Sequence, residues 1–206
     1  MFTDLIPVFV TLFVIIDPIG LAPLFVALTP GLDARQRRAI ALRSCIVAIG
    51  ILTLFGLAGD AVLAFVGISM PAFRIAGGLL LFLTALDMLF ERRTERREGQ
   101  ASERTDPSVF PLAIPLIAGP GAIASMILLT GQAREDWIWI ASVHGVMVGV
   151  VAIVFVLFLL SGLIQRALGR VGIVVVTRLL GMLLAALSVQ FVLDGLRDLQ
   201  VLPTAA

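Results

Sequence analysis

The 206-residue chain is 60% hydrophobic and 14% charged, with a formal net charge of +1, against roughly 45–50% apolar and about 25% charged in ordinary soluble domains. A chain this short cannot hide so much apolar surface inside one water-soluble core, and its fifteen basic residues, all arginine, are balanced by fourteen acids, so nothing points to nucleic acid. The single Cys45 excludes an internal disulfide and a CxxC redox or metal site.

Taken in order, the apolar segments number six, each near the ~20 residues that a spanning helix needs. Leu5–Leu32 carries one charge, Asp17, and residues 44–66 carry one, Asp60. Residues 71–90 begin near Arg74 and end near Asp87, and 107–133 and 137–165 are uncharged if His144 is neutral. The last segment, 174–196, is bounded by Arg178 and Asp194. The start, Met-Phe-Thr-Asp, lacks the basic region and cleavage site of a secretory signal, so the first segment is expected to be retained.

Arginine sets the expected orientation. The first, third and fifth connections hold eleven, whereas Arg74, Arg134 and Arg197 lie on the other side. Positive residues stay cytoplasmic, which predicts an inner-membrane protein with both termini outside. The mixed-charge run from Glu91 to Asp106 reads as a cytoplasmic linker. The chain thus divides into a first three-helix unit over 1–90, a linker over 91–107 and a second three-helix unit over 108–200, all one membrane domain.

The halves resemble each other. Residues 74–84 align with 178–188, matching Arg74 with Arg178 and Thr84 with Ser188, while Asp17-Pro18-Ile19-Gly20 falls against Gly119-Pro120-Gly121-Ala122 at nearly the same offset. Because three spans is an odd number, the second unit must enter the membrane from the opposite side. The predicted architecture is therefore all-α: two inverted three-helix repeats, a plan used by secondary transporters with the site at the repeat interface.

Both markers lie centrally in their segments. Asp-Pro and Gly-Pro each read as an N-cap followed by proline at the first helical position, so helices 1 and 4 are expected to break and restart at mid-membrane. Each break leaves a half-helix N-terminus with unpaired N–H groups and partial positive charge, suited to a carboxylate. An aspartate at that depth costs about 2.5–3.5 kcal/mol on insertion scales, so Asp17 reads either as a cap alone or as a cap that also meets a substrate ammonium or carries a proton.

The stretches Asp17-Pro18-Ile19-Gly20-Leu21-Ala22-Pro23 and Pro115-Leu116-Ile117-Ala118-Gly119-Pro120-Gly121-Ala122-Ile123 resemble the paired signatures of the MarC family. The likeness in length, layout and motif placement covers essentially the whole chain. It implies a membrane protein related to LysE-type exporters, in a family with members described as small neutral amino-acid transporters. Leu21 departs from the pattern, standing where many relatives have Asn.

Together these readings give a secondary transporter of small neutral amino acids or similar zwitterions, with H+ or Na+ as coupling ion and the bilayer as its surroundings. Asp17, Pro18, Ile19, Gly20, Gly119, Pro120, Gly121 and Ala122 are its expected substrate-binding residues. Thr84, Ser125 and Ser188 are candidate cavity-lining residues, and Thr130, Gln190 and Asp194 are candidates by position. The alternative is a MarC-type protein with another substrate, or a channel or structural membrane protein. No enzyme motif (GxSxG, HExxH) is present, and no cofactor or metal is expected. Arg74 reads as snorkelling to an interface or pairing with an acid such as Asp60, His144 as a structural residue or a proton relay, and Gly145-x-x-x-Gly149 as a close-packing motif.

Overall fold

The computed structural model describes residues 2–90, 107–133 and 135–200; the charged linker, Pro107 excepted, lies outside them. Helices α1 (Phe2–Ile16) and α2 (Pro18–Leu28) are separated by Asp17 alone. Backbone bonds from Asp17 N to Phe13 O (2.9 Å) and from Leu21 N to Asp17 O (3.0 Å) carry the ladder past the interruption. The pair therefore acts as one 25-residue apolar stretch, Asp4–Leu28.

Helix α3 (Ala34–Val66) starts on a capping box: Gln36 N donates to Asp33 Oδ1 (2.8 Å) and Asp33 N to Gln36 Oε1 (3.0 Å). It begins ten residues before the expected span at 44–66. Its first turns, with Arg35, Arg37, Arg38 and Arg43, are too polar to count as apolar yet well capped and free of breakers. Gly67 ends it at φ 79°, the left-handed conformation glycine adopts at little cost. Helix α4 (Met70–Leu89) follows, with Ser69 as N-cap and proline at the start.

The fourth span departs from expectation. Its first part, Ser108–Ile117, is not an α-helix. Phe110 and Ile114, each preceding a proline, are extended, and the peptide bonds to Pro111 and Pro115 are cis. Bonds from Leu112 N to Pro107 O and from Ala118 N to Ala113 O skip five residues, giving a wide winding. Helix α5 (Pro120–Gly131) leaves it at 55°. Twelve residues span only about 18 Å, so α5 needs the wound segment to complete a crossing.

Asp136 caps α6 (Trp137–Leu159), accepting from Ile138 N and Trp139 N. The expected span at 137–165 stops early, because α7 (Ser161–Asp198) starts two residues later and kinks at Gly169 (φ 60°). Its apolar crossing part is Val171–Asp198. The described residues form five helices long and apolar enough to cross a bilayer, six with the bent pair, and contain no strand.

Burial shows which spans are central. In Asp4–Leu28, 56% of the apolar window is buried, against 22–33% in the other four spans, and α5 is buried from Gly121 to Thr130 except at Ile123. The two interrupted segments are thus the interior of the bundle. The outer helices turn Leu54, Leu57, Leu79, Leu83, Leu179 and Leu183 outward, an apolar surface that suits hydrocarbon and not water. Helices α4 and α7 pack antiparallel. A Cβ at Gly78 would meet Ser188 O at 2.8 Å, one at Gly181 would meet Met88 Cβ at 3.0 Å, and one at Gly195 would meet Pro71 O at 3.0 Å. These close approaches are what small residues permit between membrane helices.

Candidate functional site

At the first break Asp17 sits at φ 53°, a left-handed conformation that Asp and Asn tolerate better than most residues. Its Oδ1 accepts from Gly20 N at 3.0 Å, the expected N-cap. The residue is 2% exposed, so a carboxylate stands inside the bundle at the middle of a span. Pro18 begins α2 and is buried, and Ile19 and Gly20 are half-buried. Leu21, at the position where the family resemblance implies an amide, is buried and apolar.

The space beside Gly20 is tightly held. A Cβ there would overlap the Asp17 carboxylate and stand 3.0 Å from Thr177 Oγ1 on α7. Thr177 was not singled out in the sequence, because it precedes Arg178 at the edge of the repeat alignment and its counterpart is Phe73. Its buried Oγ1 has no hydrogen-bond partner. Five other hydroxyls of the bundle bond their own helix: Thr29 to Phe25 O, Ser44 to Ile40 O, Thr84 to Leu80 O, Thr130 to Met126 O and Ser188 to Ala185 O. A buried unsatisfied hydroxyl costs about 1–3 kcal/mol, which sets Thr177, like Ser125, apart from these five.

The second break is built differently. Gly119 is the N-cap of α5 and Pro120 its first residue, as expected, but no side chain caps the helix. The reason is steric: a Cβ at Gly119 would lie 2.6 Å from the Pro115 carbonyl oxygen. Only glycine fits, and glycine has no side chain to offer. Pro120 is exposed, while Gly121 and Ala122 are buried. A Cβ at Gly121 would lie 2.8 Å from Leu81 Cδ2, 3.5 Å from Ile15 Cγ2 and 3.8 Å from Thr84 Oγ1.

Those contacts bring the two breaks together, since Ile15 stands two residues before Asp17. Thr84 is drawn in with them, although its hydroxyl is committed to Leu80 O at 3.0 Å. Ser125, fully buried one turn beyond Gly121, has an unpartnered Oγ. Ser188 lies away from the breaks, against Gly78 in the α4–α7 contact, and Gln190 and Asp194 bond each other near the end of α7.

Comparison with known proteins agrees with the motifs. The profile described as "MarC family integral membrane protein" matches residues 2–200. The chain belongs to the MarC family. Among its relatives, a "UPF0056 membrane protein" of Archaeoglobus fulgidus is 39% identical, covering 92% of this chain and 91% of the relative. One of the same description from Aquifex aeolicus is 37% identical over 93% and 91%. The "UPF0056 inner membrane protein YhgN" of Escherichia coli is 34% identical over 94% and 96%. No solved structure matches significantly.

Arg74 bonds Asp198 at 2.6 Å, so its guanidinium engages an acid at the end of α7. His144 Nδ1 lies 2.8 Å from Ile140 O, and its Nε2 faces Gly56, a position set by helix packing. Gly145 and Gly149 face open space, with nothing within 4 Å of a Cβ at either, so that motif is not a packing contact within the chain. No group of three or more metal-ligating residues occurs among the described residues.

Proposed function

We propose that this MarC protein is a secondary transporter of small zwitterions, with neutral amino acids as first candidates, working by alternating access rather than by catalysis. The observation that carries the reading is the pairing of unlike ends inside the bundle. A buried carboxylate caps one break, an uncapped helix N-terminus forms the other, and Ile15 against Gly121 brings them side by side. Asp17, with the Thr177 hydroxyl, suits an ammonium. The first N–H groups of α5, which have no intrahelical partners, suit a carboxylate. A molecule carrying both groups one carbon apart satisfies both ends.

The antiparallel packing of α4 on α7 supports the inverted-repeat plan, since the repeat alignment pairs these two helices and an in-plane two-fold axis would oppose them. The arginines in the first turns of α3 and the first part of α7 lie at one end of the bundle, where Arg37 bonds Ser161, and the positive-inside rule makes that end cytoplasmic. That orientation leaves both termini outside. Asp17 is then the carrier if the coupling ion is H+.

The test is uptake of labelled glycine and L-alanine into proteoliposomes with an imposed pH gradient. The wild type is expected to show saturable uptake, and Asp17→Asn to lose it by roughly 10- to 100-fold, the worth of a charged hydrogen bond. Asn keeps the cap and tolerates the left-handed backbone, so the variant should insert normally. Absence of saturable wild-type uptake would remove neutral amino acids as the substrate.

A further inference from the structure

The arginine-rich end of the bundle carries a cluster that the breaks do not use. Phe25, near the end of α2, stacks on Phe158, near the end of α6, with ring centroids 4.4 Å apart and planes 7° from parallel. Both rings are essentially fully buried. The Arg37 guanidinium, from the first turns of α3, lies over the Phe25 ring at 5.3 Å from its centroid. Its Nη2 donates to Ser161 Oγ at 2.9 Å, and that hydroxyl donates to Phe158 O at 2.8 Å. Thr29 Oγ1 donates to Phe25 O at 2.7 Å, fixing the last turn of α2.

The position matters more than the packing. Phe25 is five residues beyond Gly20, about 8 Å further along α2. The stack thus stands between the Asp17 break and the arginine-rich face. It joins α2 and α3 of the first unit to α6 and α7 of the second, and it does so through side chains alone. A ring stack, a cation over a ring and one hydrogen bond can be broken and remade without unfolding a helix. A half-buried arginine held by a ring and a hydroxyl, rather than by a carboxylate, is held weakly enough to let go.

From this we infer that Phe25, Phe158, Arg37 and Ser161 form a latch that closes the arginine-rich end beneath the site. The structure is then the state shut on that side, and opening requires the two rings to separate and Arg37 to leave Ser161. The inference rests on the reading of the breaks as a transport site, but its test does not depend on any substrate.

The measurement is thiol accessibility in sealed vesicles of either orientation, using a membrane-impermeant maleimide. The reporter is Thr177→Cys in a Cys45→Ala background, so that the only thiol stands beside the Asp17 break. With the latch intact, labelling from the arginine-rich face should be slow. Phe25→Ala should raise the rate from that face at least about tenfold, the combined worth of the two ring contacts, and leave the rate from the opposite face unchanged. Arg37→Gln, which removes the cation and spares both rings, should give a smaller rise on the same face. Fast labelling from the arginine-rich face with the latch intact would overturn the inference. So would rises of equal size from both faces in Arg37→Gln, the variant that keeps the buried rings. Failure of amino-acid uptake with one-sided labelling would sink the substrate and keep the latch.

Discussion

Asp17 and Gly119 hold the same place in their helices, the residue before a proline at the first helical position, yet their surroundings differ at every level. Asp17 brings its own acceptor, closes on Gly20 N and lets the backbone ladder continue, so α1 and α2 remain one span. Gly119 brings nothing, follows a segment with no regular α-helix and turns the chain through 55°. Pro18 is buried and Pro120 exposed. The first break thus presents a buried side-chain carboxyl that caps its own helix. A helix start where no side chain fits keeps its positive end at the second. On the proposed reading, this contrast gives the site two ends of unlike chemistry, one at each break.

The largest effect should follow from filling the second break. In Gly119→Ala the new methyl meets the Pro115 carbonyl at 2.6 Å, backbone against side chain with no flexible partner to yield. Loss of several kcal/mol is expected from strain of this kind, a fall of roughly 2–4 °C in Tm per kcal/mol for a chain of this size. Unfolding of detergent-purified protein would show it; a wild-type Tm would mean that the close approach is not what fixes glycine there.

Next in size is the effect of removing the charge at the first. Asp17→Asn should keep its Tm and separate the two half-sites by competitor. Against labelled substrate, a small amine should inhibit wild type but lose roughly 10-fold or more in the variant, while a small monocarboxylate should inhibit both alike. Equal loss for both competitors would show that the breaks act as one site without polarity.

Much of this was legible because its causes are local. Proline at a helix start and a preceding Asp or Gly declare themselves over four residues, and six apolar segments follow from hydropathy alone. The winding at 108–117 was signalled too, since Phe110 and Ile114 precede prolines and that position favours extended backbone, but the segment's unbroken hydropathy read as helix. The first turns of α3 were hidden by the same criterion, although Asp33-x-x-Gln36 is a capping box. Thr177 and the Phe25–Phe158 stack were out of reach. Each depends on helices more than a hundred residues apart in sequence, and neither sits in a motif or a matched repeat position.

Thr177→Val should have an effect of opposite sign on stability and on function. Removing a buried hydroxyl without a partner relieves its desolvation cost, so Tm should hold or rise, while KM should increase about five- to tenfold for loss of one hydrogen bond to the substrate. Unchanged KM with raised Tm would leave Thr177 as an unsatisfied core residue and Asp17 alone at the ammonium.

The smallest effect is expected from Thr84→Val, and it decides what criterion finds site residues in this bundle. Thr84 also borders a break, with its Oγ1 3.8 Å from the Cβ position of Gly121, against 3.0 Å for Thr177 Oγ1 at Gly20. Proximity alone would therefore make both hydroxyls candidates. They differ in commitment: Thr84 already bonds Leu80 O, so a ligand would have to replace a bond that Thr177 lacks. If unsatisfied hydrogen-bonding capacity marks the site, KM in Thr84→Val stays within about twofold of wild type, the range of substitutions away from a specific interaction. If the two variants shift KM equally, distance from the breaks is what matters. Ser188, whose hydroxyl is likewise spent on its own helix but lies far from both, would then be the residue to show no change.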